Sequence, residues 1–108
     1  VFNAALSATL TVQTNDIIKV DCACNLSNST AAGVTYMTVD NSAGTGAWVQ
    51  TPNSIVSTGT GFRGGYSTGI FQATADGNVT FQAQWRVGVA STGSAQNCNI
   101  TAVVIGKQ

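Results

Sequence analysis

The stretch NVTFQAQWRVGV, residues 78–89, alternates between apolar and polar side chains with hardly a break. Up to position 86, the residues between the apolar ones are asparagine, threonine, glutamine and arginine. Because successive side chains of an extended strand point to opposite faces, this pattern predicts a β-strand with one face on a core. The other face consists almost entirely of uncharged polar groups, and this limits the folds and functions open to the chain.

Shorter runs of the same character follow one another along the chain, and sustained helical spacing of apolar residues is absent. Glycine, asparagine and serine separate the runs, which is the pattern of many short strands. The glycine-rich stretch 55–69 predicts a flexible or bulged connection, and Asp76-Gly77 is typical of a two-residue hairpin. We therefore expect one domain over residues 1–108, with roughly seven to nine antiparallel strands in an all-β sandwich or barrel.

Charge is scarce in this chain. Only 7% of its residues are charged, against about 25% in an average soluble domain, and four basic residues balance four acidic ones. A net charge of zero argues against attraction to nucleic acid or to anionic membranes, and no apolar run approaches the roughly 18 residues that span a bilayer. Such a surface is weakly protected against self-association, so we expect an obligate oligomer.

The chain contains few of the residue types that catalyse reactions or bind metals. The chain has no histidine and no glutamate, so histidine-based triads, bases and metal ligands are excluded. A Cys-x-Cys pair with one further cysteine lacks the fourth ligand of a zinc site. The loops at Asp40-Asn41 and Asp76-Gly77-Asn78 offer oxygen ligands for calcium, but these residue types are also ordinary turn formers. We expect no enzyme activity, no metal and no cofactor.

Three residues near the predicted turns have the chemistry of a sugar site. Trp48 and Tyr66 offer rings for stacking, and Arg63 offers hydrogen bonds to hydroxyl groups. The alternative is structural, because Phe62 and Tyr66 could plug the end of the sandwich or a neighbouring subunit. Both hypotheses stay open, and we favour the structural one.

Parts of the chain resemble the C1q/TNF-like jelly-roll family. The similar stretches are GNVTFQAQWRV (77–87), the closing NITAVVIG (99–106) and the lead-in LSATLTVQTNDIIKVDC (6–22). One bacterial sugar-binding group of the family closes with a stretch similar to residues 79–85 and 93–95. The resemblance implies an antiparallel two-sheet jelly-roll sandwich that packs as a homotrimer about a three-fold axis.

A trimer of this kind would give the polar face of the opening strand a role. Amides and an arginine can be buried around the axis if every hydrogen bond is made. The alternative is a solvated outer sheet, where uncharged polar residues are ordinary. The candidate interface residues are Thr80, Gln82, Gln84 and Arg86.

The three cysteines lie on faces that are expected to be buried. Cys22 and Cys24 are two apart and therefore share one side of a strand, and Cys98 lies on the apolar side of the last strand. Because the last strand of a jelly roll lies near early strands, the resemblance allows a disulfide between Cys98 and either Cys22 or Cys24. We expect instead three buried thiols acting as small hydrophobes, which would suit assembly in a reducing cytoplasm.

Small members of the family occur as heads of phage fibres, as virion surface proteins and as trimeric lectins. The resemblance therefore implies a non-enzymatic homotrimer on a virion surface, of a bacteriophage in the first instance. It would act as a capsid decoration (cement) protein or a fibre head, with other virion proteins as partners. The alternative is an extracellular trimeric lectin or receptor-binding module, whose glycan would bind around Trp48, Arg63 and Tyr66.

Overall fold

The computed structural model describes residues 3–88 and 91–108, and every regular element in them is a β-strand. The strands form because each alternating run can bury one face while its backbone pairs with neighbours. The all-β prediction is confirmed, and none of the described residues belongs to a helix able to cross a membrane. The eight strands in these ranges are β1 (Asn3–Val12), β2 (Asp16–Asn28), β3 (Val34–Ala43), β4 (Gly46–Gln50), β5 (Ile55–Thr58), β6 (Arg63–Ala73), β7 (Gly77–Val87) and β8 (Gly93–Lys107).

The strands form two antiparallel sheets of four, which confirms the prediction of a two-sheet sandwich. The first sheet has the order β1-β7-β3-β5, and the second has the order β4-β6-β2-β8. Strands that follow one another in the sequence lie in opposite sheets, so each connection crosses from one layer to the other. The result is an elongated sandwich measuring 46 × 21 × 19 Å.

This crossing makes the hairpin prediction at Asp76-Gly77 wrong. The turn joins β6 of the second sheet to β7 of the first, and β7 pairs with β1 and β3. Asp76 Oδ1 accepts hydrogen bonds from the backbone N–H and the hydroxyl of Thr14, at 2.7 and 2.9 Å. The turn between β1 and β2 therefore holds this turn in place, with Gly77 at a φ of 135° that suits glycine.

The core lies between the sheets and is supplied largely by the inner faces of β2 and β7. Phe71 of β6 and Phe81 of β7 meet edge to face across the layers, with ring centroids 5.1 Å apart. Burying side chains of this size stabilises the fold by about 1.5–3 kcal/mol each. The buried Thr35 hydroxyl donates to the Ser27 carbonyl at 2.8 Å, so it is not left unpaired. The buried apolar side chains of β2 and β7 are Ile18, Val20, Cys22, Cys24, Leu26, Val79, Phe81 and Ala83.

The expectation of a flexible or bulged connection over 55–69 is wrong for most of the stretch, which forms β5 and the first part of β6. The glycines of β6 lie where other parts of the chain come very close. A Cβ atom on Gly69 would lie 2.6 Å from Pro52 Cγ, and one on Gly65 would collide with the Ile55 side chain. Glycine is therefore required here for close packing rather than for flexibility.

The second sheet contains a disulfide between Cys24 of β2 and Cys98 of β8. The expectation of three free thiols is thus wrong for this pair. Cys22 is the free cysteine; it is buried, and burial raises the pKa of its thiol. The disulfide ties β8, at the edge of the sheet, to an inner strand.

Candidate functional site

The outward side of the first sheet is lined by hydroxyl and amide groups. Strand β7 lies between β1 and β3, so its alternate polar residues form an inner row of that side. The four candidate interface residues all fall in this row, half-buried among their neighbours. We define the amide–hydroxyl face as Thr9, Thr11, Asn78, Thr80, Gln82 and Gln84.

Polar groups of the amide–hydroxyl face bond to one another. The hydroxyls of Thr9 and Thr80 share a hydrogen bond of 2.8 Å between β1 and β7. Gln84 Nε2 donates to Gln82 Oε1 at 3.0 Å along β7. Each of these bonds gives one donor and one acceptor a partner within the isolated chain. Covering this face therefore costs less desolvation free energy than covering unbonded polar groups.

Two charged side chains border the amide–hydroxyl face. The guanidinium of Arg86 lies over the Tyr36 ring, with 4.3 Å between Cζ and the ring centroid, which is a cation–π geometry. Asp40 is opposite Gln82 in the pairing of β3 with β7, and its carboxylate accepts a hydrogen bond from the backbone N–H of Asn41 at 2.8 Å. Each charged group interacts with a neighbour in the same sheet. The surface between Arg86 and Asp40 therefore consists of uncharged polar groups.

The structure does not bring the candidate ligand residues Trp48, Arg63 and Tyr66 together. Trp48 is opposite Phe71 on the inner side of the second sheet, and its ring packs on Phe71 with centroids 5.2 Å apart. Tyr66 lies five residues before Phe71, about 16 Å along β6, and it points outward. Arg63 is exposed at the start of β6. Trp48 therefore closes an edge of the core, away from Tyr66.

The expectation that Phe62 and Tyr66 plug the end of the sandwich is wrong within one chain. Phe62 is 46% exposed and Tyr66 is 53% exposed. Both residues are thus exposed on the isolated chain. Of Trp48, Phe62 and Tyr66, it is Trp48 that packs against the core.

A polar cluster that the sequence did not predict lies on the outward side of the second sheet. We define the Asp21 cluster as Lys19, Asp21, Tyr66 and Thr68. Asp21 Oδ1 accepts hydrogen bonds from the hydroxyls of Tyr66 at 2.5 Å and Thr68 at 2.8 Å. Lys19 Nζ lies 4.0 Å from Asp21 Oδ2. The cluster joins β2 to β6, so it could be found only by knowing that these strands pair.

Hydrogen bonding decides the protonation of the Asp21 cluster. Burial works to raise the pKa of Asp21, but the bonds from Tyr66 and Thr68, with the charge of Lys19, outweigh it and hold the pKa below its usual value. The bond to Asp21 is also the main cause of the raised pKa of Tyr66, because it stabilises the neutral phenol. At neutral pH the cluster is therefore a carboxylate with bound hydroxyl donors.

The last strand gives the second sheet an exposed apolar edge. Among the described strands β8 pairs with β2 alone, so one side of its backbone has no strand beside it. Val103, Val104 and Ile105 near its end are 51%, 41% and 56% exposed. An edge of this kind is a common route to association between chains.

No group of three or more metal-ligating side chains occurs within residues 3–88 and 91–108. Comparison of the chain with protein-family models, with curated proteins and with solved structures gives no match. The fold and its surfaces define a β-sandwich with two contrasting outward sides, and function has to be inferred from those sides.

Proposed function

We propose that the chain is a non-enzymatic structural module that assembles as a homotrimer on a virion surface, as a capsid decoration (cement) protein or a fibre head. The observation that carries the proposal is the amide–hydroxyl face. Its polar groups bond to one another, and the charges at its border, Arg86 and Asp40, are engaged locally. The uncharged amide and hydroxyl groups of this face can be covered by copies of themselves without burying an unpaired charge.

The strand order supports the finer description of the fold. Eight strands in two antiparallel four-stranded sheets match the strand count and layering of a jelly roll. The C1q/TNF-like resemblance implies that such chains pack as trimers. In the proposed trimer the first sheet faces the three-fold axis, and Gln82 and Gln84 lie beside their copies. Amides suit this position because each has both donors and an acceptor.

Composition and the disulfide support a structural role outside the cytoplasm. The chain has no histidine and no glutamate, which leaves little for acid–base catalysis. A disulfide such as Cys24–Cys98 persists mainly in oxidising surroundings. This favours a protein exposed on a released particle over one that keeps buried thiols in a reducing cytoplasm.

Two measurements test the proposal. Light scattering of the purified protein is expected to give three times the 11.0 kDa mass of one chain. Quantitative mass spectrometry of washed virions from the virus that encodes the chain is expected to find it in fixed stoichiometry with a capsid or fibre protein. A single-chain mass would remove the trimer, and sub-stoichiometric amounts on the particles would remove the cement role.

The alternative function is an extracellular trimeric carbohydrate-binding or receptor-binding module. The separation of Trp48 from Tyr66 counts against a site built from Trp48, Arg63 and Tyr66. One observation still favours sugar binding, because the exposed Tyr66 ring lies beside a carboxylate. A glycan array separates the two functions, since saturable binding by a protein absent from particles supports the module.

A further inference from the structure

We propose that a shallow depression on the outward side of the second sheet binds a neutral pyranose sugar, with the Tyr66 ring as the stacking surface and the Asp21 carboxylate as the hydrogen-bond acceptor. The site lies within one chain, so it depends neither on the trimer nor on a virion location. It also differs from the site expected from the sequence, which combined Tyr66 with Trp48 and Arg63.

We define the depression as the surface over Ala23, whose side chain is smaller than those of its outward neighbours. Ala23 of β2 has Tyr66 of β6 opposite it on one side and Asn99 of β8 opposite it on the other. Asp21 and Asn25 are the next outward residues along β2. Neighbouring strands are about 4.8 Å apart and alternate residues of one strand about 6.6 Å apart, so the opening is on the order of 10 Å across. That size fits a single sugar ring.

Tyr66 is fixed at both ends. Its hydroxyl donates to Asp21, and its backbone carbonyl accepts a hydrogen bond from Asn53 Nδ2 at 3.0 Å, in the part of β6 beyond its pairing with β4. Gly64, the preceding outward residue of β6, has no side chain that could cover the ring. Because the ring is held in place and the residue remains 53% exposed, the ring can stack on the C–H face of a sugar with little loss of side-chain entropy.

Asp21 uses one carboxylate oxygen for hydrogen bonds within the cluster, and its other oxygen can accept bonds from a ligand. Oδ1 takes the hydroxyl bonds of Tyr66 and Thr68, whereas Oδ2 has Lys19 Nζ at 4.0 Å. A carboxylate oxygen has two lone pairs, so Oδ2 can accept hydrogen bonds from two adjacent sugar hydroxyls, and Lys19 can donate to a third oxygen. These are bonds between an ionised group and hydroxyls, which are stronger than neutral ones.

The charge of the depression selects the kind of sugar. Lys19 balances Asp21, so neither an acidic nor a basic sugar gains from a net field. An acidic sugar would also lie against the Asp21 carboxylate. The amides of Asn25 and Asn99 offer both donors and acceptors, which suit hydroxyl groups. We therefore assign the site to a neutral hexopyranose with adjacent hydroxyls.

Chemical-shift titration of isotope-labelled protein tests the site, with D-glucose, D-galactose, D-mannose, L-fucose and N-acetyl-D-glucosamine as probes. At least one sugar is expected to shift the amides of Ala23, Tyr66 and Asn99 with a dissociation constant in the millimolar range. Shifts confined to Trp48 and Arg63, or no shifts with any of these sugars, would overturn the assignment.

Variants separate stacking from hydrogen bonding. Tyr66→Ala is expected to weaken binding at least about tenfold, and Tyr66→Phe about two- to fivefold, because the second keeps the ring but frees it from Asp21. Asp21→Asn is expected to weaken binding without loss of the fold. Phe62→Ala removes an exposed ring elsewhere and should leave binding unchanged. Wild-type affinity in Tyr66→Ala would refute the site, and equal losses in Phe62→Ala would indicate non-specific contact with exposed rings.

Discussion

The polar groups on the two outward sides of the sandwich are bonded differently. On the first sheet the hydroxyls and amides bond to one another, as Gln82 and Gln84 do, so part of their bonding capacity is used within the face. On the second sheet Asp21 accepts two hydroxyl hydrogen bonds on Oδ1 and pairs with Lys19 through Oδ2 at 4.0 Å, beside the exposed Tyr66 side chain. The first side is suited to being covered, and the second to recruiting a ligand.

The cause of this difference is the composition of the inner strand on each side. From Asn78 to Gln84 the outward residues of β7 are uncharged amides and hydroxyls, and Thr80 meets Thr9 of β1, a like group with which it can pair. Along β2 the outward residues change in kind from one to the next, so carboxylate, ammonium, amide and methyl groups lie side by side. The outward residues of β2 are Ile17, Lys19, Asp21, Ala23 and Asn25.

The largest expected effect comes from placing charge on the amide–hydroxyl face. In the double variant Gln82→Glu with Gln84→Glu, two carboxylates replace two amides beside Asp40, and a trimer would bring three such sets together. Burying an unpaired charge costs several kcal/mol, so the proposed trimer is expected to dissociate. Light scattering measures the mass, and a thermal melt checks that each chain remains folded.

The matched control for this variant is Gln96→Glu, which makes the same chemical change at an exposed position of β8. It is expected to keep the mass of the parent protein. A trimer that survives the double variant would show that the first sheet is not the interface. Loss of the trimer in the control alone would move the interface to the second sheet.

The next effect concerns the Asp21 cluster and pH. Because hydrogen bonds hold the folded pKa of Asp21 below its unfolded value, its carboxylate stabilises the fold above about pH 4, and this is lost as pH falls through the folded pKa. We expect Asp21→Asn to cost about 1–2 kcal/mol at pH 7 and little in acid. Urea unfolding at both pH values measures this.

Asp76 provides the control for the pH prediction. The hydrogen bonds from Thr14 lower the pKa of Asp76 as well, the backbone bond most of all, so some acid sensitivity is expected to remain in Asp21→Asn. A variant that loses stability in acid as steeply as the parent protein would contradict a role for Asp21 in the pH dependence.

The two sides also differ in how far they can be predicted from the sequence. Alternation places Gln82 and Gln84 in one outward row, because the period of a strand fixes the side on which each residue lies. The Asp21 cluster depends on the pairing of β2 with β6, which brings Tyr66 and Thr68 to Asp21 from 45 and 47 residues away. The sequence pattern of a single strand does not indicate that β2 pairs with β6.

Glycine accounts for the largest error in the strand prediction. Gly65 and Gly69 resemble flexible-loop residues in the sequence, but each lies against another segment, under Ile55 and Pro52 respectively. Likewise Asp76-Gly77 has the chemistry of a tight turn, yet the bonds that hold it come from Thr14, 62 residues away. In both cases the deciding contact is distant in the sequence.

A smaller effect is expected when one cross-strand hydrogen bond of the amide–hydroxyl face is removed. Thr80→Val leaves the Thr9 hydroxyl without its partner at 2.8 Å, at a cost of about 0.5–1 kcal/mol. Adding Thr9→Val pairs two β-branched apolar side chains, so the double variant is expected to recover most of the loss. Urea unfolding of the four proteins of this cycle gives the coupling free energy.

Thr101→Val is the corresponding change on the second sheet, at an exposed position of β8 opposite Asp21. Its side chain makes no hydrogen bond with the described residues, so stability is expected to stay within about 0.5 kcal/mol of the parent protein. Strictly additive losses at Thr9 and Thr80 would mean that their hydroxyls act independently, and the contrast between the sides would weaken.

The smallest effect on stability, within about 0.5 kcal/mol, is expected for Ile105→Lys on the apolar edge of the second sheet. Ile105 is 56% exposed, and lysine is a residue that natural edge strands use against pairing with other chains. Aggregation followed by light scattering at high protein concentration should slow, while the mass of the proposed trimer is kept. Val56→Lys is the control, because Val56 is equally exposed on the edge strand β5, which has only four residues to offer a partner. Ile105→Lys could instead dissociate the assembly while the double variant Gln82→Glu with Gln84→Glu leaves it intact. The chains would then associate through β8, and the amide–hydroxyl face would be the side exposed to solvent.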